Sequence, residues 1–244
     1  MPFSPKLPAP SSTRPWGLSK QHCIALNGLD LVPDLSGALY APEFKTLLIA
    51  DLHLEKASNM AKRGVHLPPY DTRASLTQLE AVITQIRPAQ LIFLGDSFHD
   101  DGARERIAEE DLARLRAITE RADTIWITGN HDPHPPTDIG GRIADAVVLA
   151  GVTLRHEPKQ LISEEFEIAG HLHPGGAVSQ RGKRIHCKCF IGNASRLIMP
   201  AFGSFAGSLS ISAAPFRDLF QERDFQVWML GQRAIYNFPA RRVK

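Results

Sequence analysis

Five short apolar segments, each followed at once by polar residues, most constrain how this chain folds. They span residues 46–50, 91–94, 124–128, 152–154 and 166–169. Segments this short and rich in Ile, Leu and Val are typical of strands buried on both faces of a sheet. The first three are separated by amphipathic helical patterns over residues 71–86 and 102–121, and this alternation indicates an α/β sheet with helical crossovers.

The pattern changes towards both ends of the chain. Short strands are expected at residues 24–31 and 37–40, and again at 184–191, 196–199, 209–211 and 225–230. We expect the C-terminal strands to form a second sheet packed on the first, in a single domain over residues 21–244. Residues 1–20 are rich in Pro and Ser and lack the apolar core of a signal peptide, so they are interpreted as a flexible tail. No apolar segment approaches the length that crosses a bilayer.

The residues that follow the apolar segments are the candidates for chemistry. In chain order they are Asp51-Leu52-His53, Gly95-Asp96, Gly129-Asn130-His131-Asp132, His156 and Gly170-His171-Leu172-His173. The carboxyl ends of strands in an open α/β sheet line one crevice, so these side chains are expected to meet. Burying several of them unpaired would be costly, and a pair of divalent cations would remove that cost. Glycines at 95, 129 and 170 would let the backbone approach the ions closely.

The ordered set D-x-H, G-D, G-N-H-D, H and G-H-x-H resembles the signature of the calcineurin-like metallophosphoesterases. This resemblance implies a four-layer α-β-β-α sandwich, with two mixed sheets packed face to face between flanking helices. It also implies that His131 faces the substrate phosphate as the catalytic residue. The implied metal ligands are Asp51, His53 and His173 on one ion, Asn130, His156 and His171 on the other, and Asp96 bridging the two.

A carboxylate, amide and imidazole ligand set without thiolate suits Mn, Fe or Zn. We therefore expect two divalent transition-metal ions, with manganese as the first choice. Such a pair, about 3.5–4 Å apart, lowers the pKa of water and neutralises phosphate oxygens. The predicted activity is metal-dependent hydrolysis of a phosphoric ester.

Several neighbouring residues have two interpretations. His134 could compete as a ligand. Residues 99–101 could cap the helix predicted near residue 102, or could contact the metal ligands from behind or the substrate. Asp132 could orient His131 or cap a turn. Cys187 and Cys189 are assigned a structural role, and residues 203–207 a turn. The three cysteines of the chain are too few for a disulfide framework, which favours a cytoplasmic location.

The substrate is suggested by a second resemblance, carried by residues 48–56, 95–100 and 197–203. These segments are similar to the bacterial ligase-associated DNA-damage-response endonucleases or phosphodiesterases of the PdeM type. The resemblance implies DNA or another phosphodiester substrate and a repair setting with a ligase, a helicase and an exonuclease-like protein. From residue 181 onwards the sequence has 11 Lys and Arg but only 3 Asp and Glu, and this excess of positive charge suits a polyanionic partner. The cations assigned to phosphate contacts are Arg181, Lys183, Arg184, Arg241, Arg242 and Lys244.

Two other functions stay open at this point. One is a phosphatase or phosphodiesterase of small metabolites, since the ligand pattern does not specify the alcohol part of the ester. The other is a non-catalytic interaction scaffold. The presence of every expected ligand speaks against the scaffold, because a scaffold has no need of them.

Overall fold

The structure, a computed structural model, describes residues 23–65, 70–180 and 182–244. The predicted tail and Arg181 lie outside these residues. The first sheet has seven strands in chain order, parallel from β4 to β7 and antiparallel before that. They are Ile24–Leu26 (β1), Leu29–Pro33 (β2), Leu39–Ala41 (β3), Thr46–Ile49 (β4), Gln90–Leu94 (β5), Asp123–Ile127 (β6) and Arg142–Ala144 (β7).

The second sheet is also mixed and follows the order β14-β11-β12-β13-β10-β9-β8, while β15 pairs with both β12 and β16. Its strands are Val147–Leu149 (β8), Val152–Arg155 (β9), Phe166–Ala169 (β10), Pro174–Gln180 (β11), Lys183–Gly192 (β12), Arg196–Ile198 (β13), Leu209–Ser210 (β14), Gln226–Leu230 (β15) and Ile235–Pro239 (β16). Strand β10 runs parallel to β9 and β13, so their carboxyl ends lie together.

Helices cover the outer face of each sheet. They are Lys56–Lys62 (α1), Asp71–Ile86 (α2), Ala103–Arg106 (α3), Glu109–Thr119 (α4) and Ala214–Leu219 (α5). Apolar residues of α2 and α4 pack with Phe93 and Trp126 of the first sheet, and Phe216 of α5 packs on the second. A third core, including Leu48, Ile92, Leu154, Ile168 and Phe190, fills the space between the sheets. The predicted four-layer α-β-β-α sandwich is confirmed.

Two details differ from the sequence-based expectation. The helix predicted over residues 102–121 is wrong as a single element, because Ile107 and Ala108 are extended and separate α3 from α4. The five apolar segments also do not share one sheet, since β9 and β10 belong to the second. The carboxyl ends of β9 and β10 nevertheless lie beside the carboxyl ends of the strands in the first sheet. Among the described residues, no helix has the length and apolar character needed to span a bilayer.

Candidate metal centre

The predicted ligands lie on turns that directly follow strands, and most of them have a left-handed backbone. The φ angle is positive at Asp51 (53°), His53 (45°), Asp96 (47°), His171 (67°) and His173 (45°). This conformation costs a non-glycine residue of order 1–3 kcal/mol and persists only where the surrounding contacts enforce it. Strained backbone concentrated in this way is typical of a functional site.

Hydrogen bonds between the turns enforce this conformation. The turns after β4 and β5 run side by side, and the His53 N–H donates to the Asp96 carbonyl at 2.9 Å. A second bond crosses between the sheets, because the His171 N–H donates to the Asp51 carboxylate, 2.9 Å from Oδ2. These bonds bring strand ends from both sheets to one place.

Asp51, His53 and His173 form the first group that could hold a metal ion, with one ligand atom of each within 4.8 Å of the others. His173 Nε2 lies 3.1 Å from Asp51 Oδ1 and 3.2 Å from His53 Nε2. Burial lowers the pKa of His53 to about 3, against the raising effect of the Asp51 and Asp96 carboxylates. The His53 imidazole is therefore neutral and offers a nitrogen lone pair.

Asp96, His156 and His171 form the second group, again with ligand atoms within 4.8 Å of one another. His156 Nε2 lies 3.3 Å from Asp96 Oδ1 and 3.2 Å from His171 Nδ1. Asn130 joins this group, because its Oδ1 lies 2.9 Å from the same Nε2. The other ring nitrogen of His156, Nδ1, donates to the Leu94 carbonyl at 2.9 Å. Metal-binding histidines usually make such a bond, which directs the remaining nitrogen at the ion.

The Asp96 carboxylate lies between the two groups. Its Oδ1 is 3.3 Å from Nε2 of His156, and its Oδ2 is 3.8 Å from Nε2 of His53. The Asp96 side chain is nearly inaccessible to solvent. One carboxylate oxygen thus approaches each group, which is the arrangement that a bridging ligand requires.

The second group is short of positive charge. Burial lowers the pKa of His156, but the hydrogen bond with Asp96 and the charges of Asp51 and Asp96 outweigh it and raise the pKa to about 9. Burial raises the pKa of Asp96, but His156 lowers it to about 2. The carboxylates favour positive charge here, and the oxygen and imidazole donors suit Mn, Fe or Zn.

Glycines allow the turns to approach these side chains closely. A Cβ atom at Gly95, where φ is 74°, would lie 2.5 Å from Cγ of His156. A Cβ atom at Gly129 would lie 2.3 Å from the Asp96 nitrogen. Neither contact is sterically possible, so a side chain at either position would displace a predicted ligand.

His131 lies beside the two groups and belongs to neither. Its side chain is exposed, and its Nδ1 donates to the His99 carbonyl at 2.9 Å. The ring also stacks on the His99 ring, with centroids 5.1 Å apart and planes 21° apart, and it lies 5.3 Å from the His53 ring. The His99 carbonyl thus fixes the tautomer and leaves Nε2 available to a substrate at the site.

Asp132 caps a turn and does not orient His131, which decides between its two interpretations. Its carboxylate accepts main-chain N–H bonds from Asp96 (2.9 Å), Ser97 (2.8 Å) and Phe98 (3.1 Å). Burial raises the pKa of Asp132 to about 7. The turn after β6 therefore holds the turn after β5, which carries Asp96.

The loop at residues 99–101 lies between α3 and His131. Oδ1 of Asp100 accepts the Gly102 N–H at 2.9 Å, just before α3, while His99 packs against His131. Arg106 of α3 binds the same Asp100 carboxylate through two nitrogens, at 2.9 and 2.5 Å. His134 is exposed and lies in neither group of the described residues, so the structure gives no support to its competing as a ligand.

Lys188 is a contributor that the sequence did not indicate. Its Nζ donates to the carbonyls of Ala201 (2.8 Å) and Gly203 (2.9 Å), and the Gly203 N–H donates to the Asp51 carbonyl at 3.1 Å. Lys188 thereby supports the turn that carries Asp51. From the sequence, strand alternation indicates only that Lys188 and the two neighbouring thiols lie on opposite faces of β12. The hydrogen-bond partners of Lys188 depend on the tertiary structure. Both thiols are free. Cys189 is buried in the core between α5 and the second sheet, in agreement with a structural role.

The sequence matches the family description of the calcineurin-like phosphoesterases over residues 44–187, more than half of the chain. The chain therefore belongs to the calcineurin-like phosphoesterases. The matched residues include every predicted ligand and His131. Together with the site, membership of this family makes the protein a metal-dependent hydrolase of phosphoric esters, as the sequence analysis predicted.

The structure is similar to the crystal structure of the nuclease MPE from Pseudomonas putida. The two chains are 28% identical, with a TM-score of 0.69 over 88% of this chain and 98% of that one. Yfce, a phosphoesterase from E. coli, is 14% identical, with a TM-score of 0.41 over 80% of this chain and 98% of that one. No protein with a curated description matches the sequence.

Proposed function

We propose that this protein hydrolyses phosphodiester bonds of nucleic acid with two divalent ions held in the metal centre. The observation that carries the proposal is the pair of adjacent ligand groups with the Asp96 carboxylate between them. The nucleic-acid part is supported by the similarity to a nuclease over nearly the whole length of both chains. The basic C-terminal part agrees with a polyanionic substrate.

Each ligand has a defined place in this proposal. Asp51, His53 and His173 would hold one ion, Asn130, His156 and His171 the other, and Asp96 both. When bound, the ions would neutralise phosphate oxygens and lower the pKa of water. We propose manganese first, with iron or zinc as alternatives, because the donors suit all three metals.

His131 would act on the substrate directly. Because Nδ1 donates to the His99 carbonyl, Nε2 is the atom that can donate a proton to the leaving oxygen. The stacked His99 ring fixes the orientation of the His131 ring. Ion binding and proton transfer would thus fall to different residues.

A substrate comparison tests this function. Protein freed of metal and reloaded with Mn²⁺ is assayed on a chromogenic phosphodiester, a chromogenic phosphomonoester, and single- and double-stranded DNA, each with and without chelator. We expect metal-dependent cleavage of the diester and of DNA. Cleavage of small esters without any cleavage of DNA at low salt would instead indicate a metabolite phosphoesterase, and no metal-dependent activity would indicate a scaffold.

The proposal extends to the cellular setting and the domain organisation. By resemblance to the ligase-associated subgroup, we propose a cytoplasmic role in DNA repair together with a ligase, a helicase and an exonuclease-like protein. Co-purification of these proteins with the tagged chain tests the partnership. We also propose one domain over residues 21–244, for which limited proteolysis should leave a single resistant fragment.

A further inference from the structure

Two neighbouring β-hairpins of the second sheet contain no acidic residue. Residues 174–192, which include β11 and β12, and residues 226–244, which include β15 and β16, lack Asp and Glu altogether. The three acidic residues that follow Glu167 all precede β15. The described part of the two hairpins and the C-terminus carries seven cations: Lys183, Arg184, Lys188, Arg233, Arg241, Arg242 and Lys244.

A groove opens where the two hairpins separate. Strand β15 pairs with β12 from Gly192 to Cys189, then turns away into β16 after Leu230. The space beyond Cys189 has a volume of about 840 Å³ and is lined by Ile185, Cys187, Met229, Arg233, Tyr236 and Phe238, among others. Cys187 shares the strand face of Cys189, which packs in the core between the second sheet and α5. The groove therefore lies on the outer face of this sheet, the face that α5 covers.

The groove combines an exposed aromatic ring with cations. Tyr236 is 52% exposed, and the nearby Ile185 is 43% exposed. A Cβ atom at Gly231 would lie 2.7 Å from the Tyr236 ring, so the ring rests on the backbone of the turn between β15 and β16. Arg233 in the same turn is exposed, and Lys183 shares the strand face of Ile185. A fixed ring bordered by cations is the usual platform for unpaired bases.

We infer that this groove binds single-stranded nucleic acid, with a base stacked on Tyr236 and phosphates paired with Arg233 and Lys183. The inference rests on the proposed function and adds a second contact region away from the metal centre. Val178, which also lines the groove, follows His173 by five residues of β11, roughly 16 Å along the strand. A strand bound in the groove can therefore extend to the metal centre. A duplex is disfavoured because its bases are already stacked and paired.

Binding is measured by fluorescence anisotropy with the metal-loaded protein and an oligothymidylate of about 12 nucleotides. Its linkages are phosphorothioates, to slow cleavage. Tyr236→Ala should weaken binding by about 5- to 100-fold, because base–aromatic stacking is lost. Tyr236→Phe keeps the ring and should bind like the wild type. An abasic oligomer of equal length should bind Tyr236→Ala and wild type alike.

The cation is tested through salt dependence. Arg233→Ala should reduce the slope of log K against log salt by about 0.7, as expected for the loss of one single-strand phosphate contact. Matched controls are Phe44→Ala and Arg121→Ala. Phe44 is an exposed aromatic residue just before β4, at the end of the strand away from the metal centre, and Arg121 is an exposed cation just after α4. Neither control should change affinity or slope.

The outcomes separate this inference from the proposed function. Hydrolysis of a small chromogenic diester should be unchanged in Tyr236→Ala and Arg233→Ala, since the metal centre is intact. Wild-type protein that fails to bind the oligomer, or variants that bind it normally, would overturn the groove while leaving the diesterase activity in place. A change of oligomeric state in Tyr236→Ala without a change in binding would instead assign the groove to a second copy of the chain.

Discussion

At the scale of single residues, the metal centre is a set of acceptor atoms directed at one another. Nε2 of His156 has the Asn130 oxygen at 2.9 Å and an Asp96 oxygen at 3.3 Å. Its own Nδ1 hydrogen is already donated to the Leu94 carbonyl. In a buried site such contacts are unfavourable unless a proton or a metal cation lies between the acceptors. Because of that requirement, substitution of the shared Asp96 carboxylate should affect metal binding more than any other single change.

Asp96→Asn should remove metal from both groups. The substitution deletes the negative charge and converts one of the two directed oxygens into an N–H₂ donor. We expect the metal content of the purified variant, measured by mass spectrometry, to fall well below that of the wild type, together with its phosphodiesterase activity. Asp101→Asn is the matched control, because Asp101 is exposed on the neighbouring loop. Wild-type metal content in Asp96→Asn would contradict the bridging role.

His131→Ala should separate catalysis from metal binding. The metal content is expected to be unchanged, because His131 belongs to neither ligand group, while kcat falls by about 10²–10⁴-fold with the loss of the proton donor. His134→Ala, three residues further on and also exposed, should keep full activity. Steady-state kinetics on a chromogenic diester give the comparison. An active His131→Ala protein would exclude proton donation by this residue.

At the scale of elements, the turn after β6 stabilises the turn after β5 through Asp132. Asp132→Ala would leave three buried N–H groups of residues 96–98 without an acceptor, at about 1–3 kcal/mol each. We expect a loss of several kcal/mol in the free energy of unfolding and weaker metal binding. Asp132→Asn retains one acceptor oxygen and should lose less, whereas exposed Asp101→Ala should lose almost nothing. Urea denaturation followed by circular dichroism measures the difference.

The spacing of apolar residues correctly predicted those helices and strands in which this spacing is unbroken. Helix α2 has the predicted bounds, Asp71–Ile86, because its apolar spacing is unbroken and Pro88 follows it. Strand β10 likewise spans Phe166–Ala169 as predicted. The helix over 102–121 was predicted wrongly, because Ile107 reaches the core by an extended backbone that the helical spacing does not reveal. Strand β11 was missed because Pro174, Gly175 and Gly176 mask its pattern, and β16 was missed because its alternation spans only five residues.

The candidate site was more predictable than the topology. Its motifs directly follow strands, so the position of each residue along the chain carried most of the information. The contacts of Asp132 and Lys188 were not predictable, because each partner lies on a different element of the fold. The assignment of β9 and β10 to a second sheet also depends on long-range pairing. The strand ends still converge, because both sheets direct them to the same edge.

At the scale of the whole molecule, the metal centre joins the two sheets. Asp51, Asp96 and Asn130 follow strands of the first sheet, whereas His156 and His171 follow strands of the second. The ligand groups are therefore complete only when the sheets are packed together. An ion bound there should stabilise the folded chain and have little affinity for the unfolded one.

Metal removal should therefore lower thermal stability. At a free metal concentration about 100 times Kd, binding of one ion adds roughly 2.7 kcal/mol to the free energy of unfolding. For a chain of 244 residues this corresponds to about 5–10 °C in Tm. Differential scanning calorimetry with Mn²⁺ and with chelator measures the shift. His134→Ala should keep the shift, whereas His171→Ala should lose most of it, because His171 is a proposed ligand from the second sheet. Equal Tm values for the wild type with metal and with chelator would contradict a metal shared between the sheets.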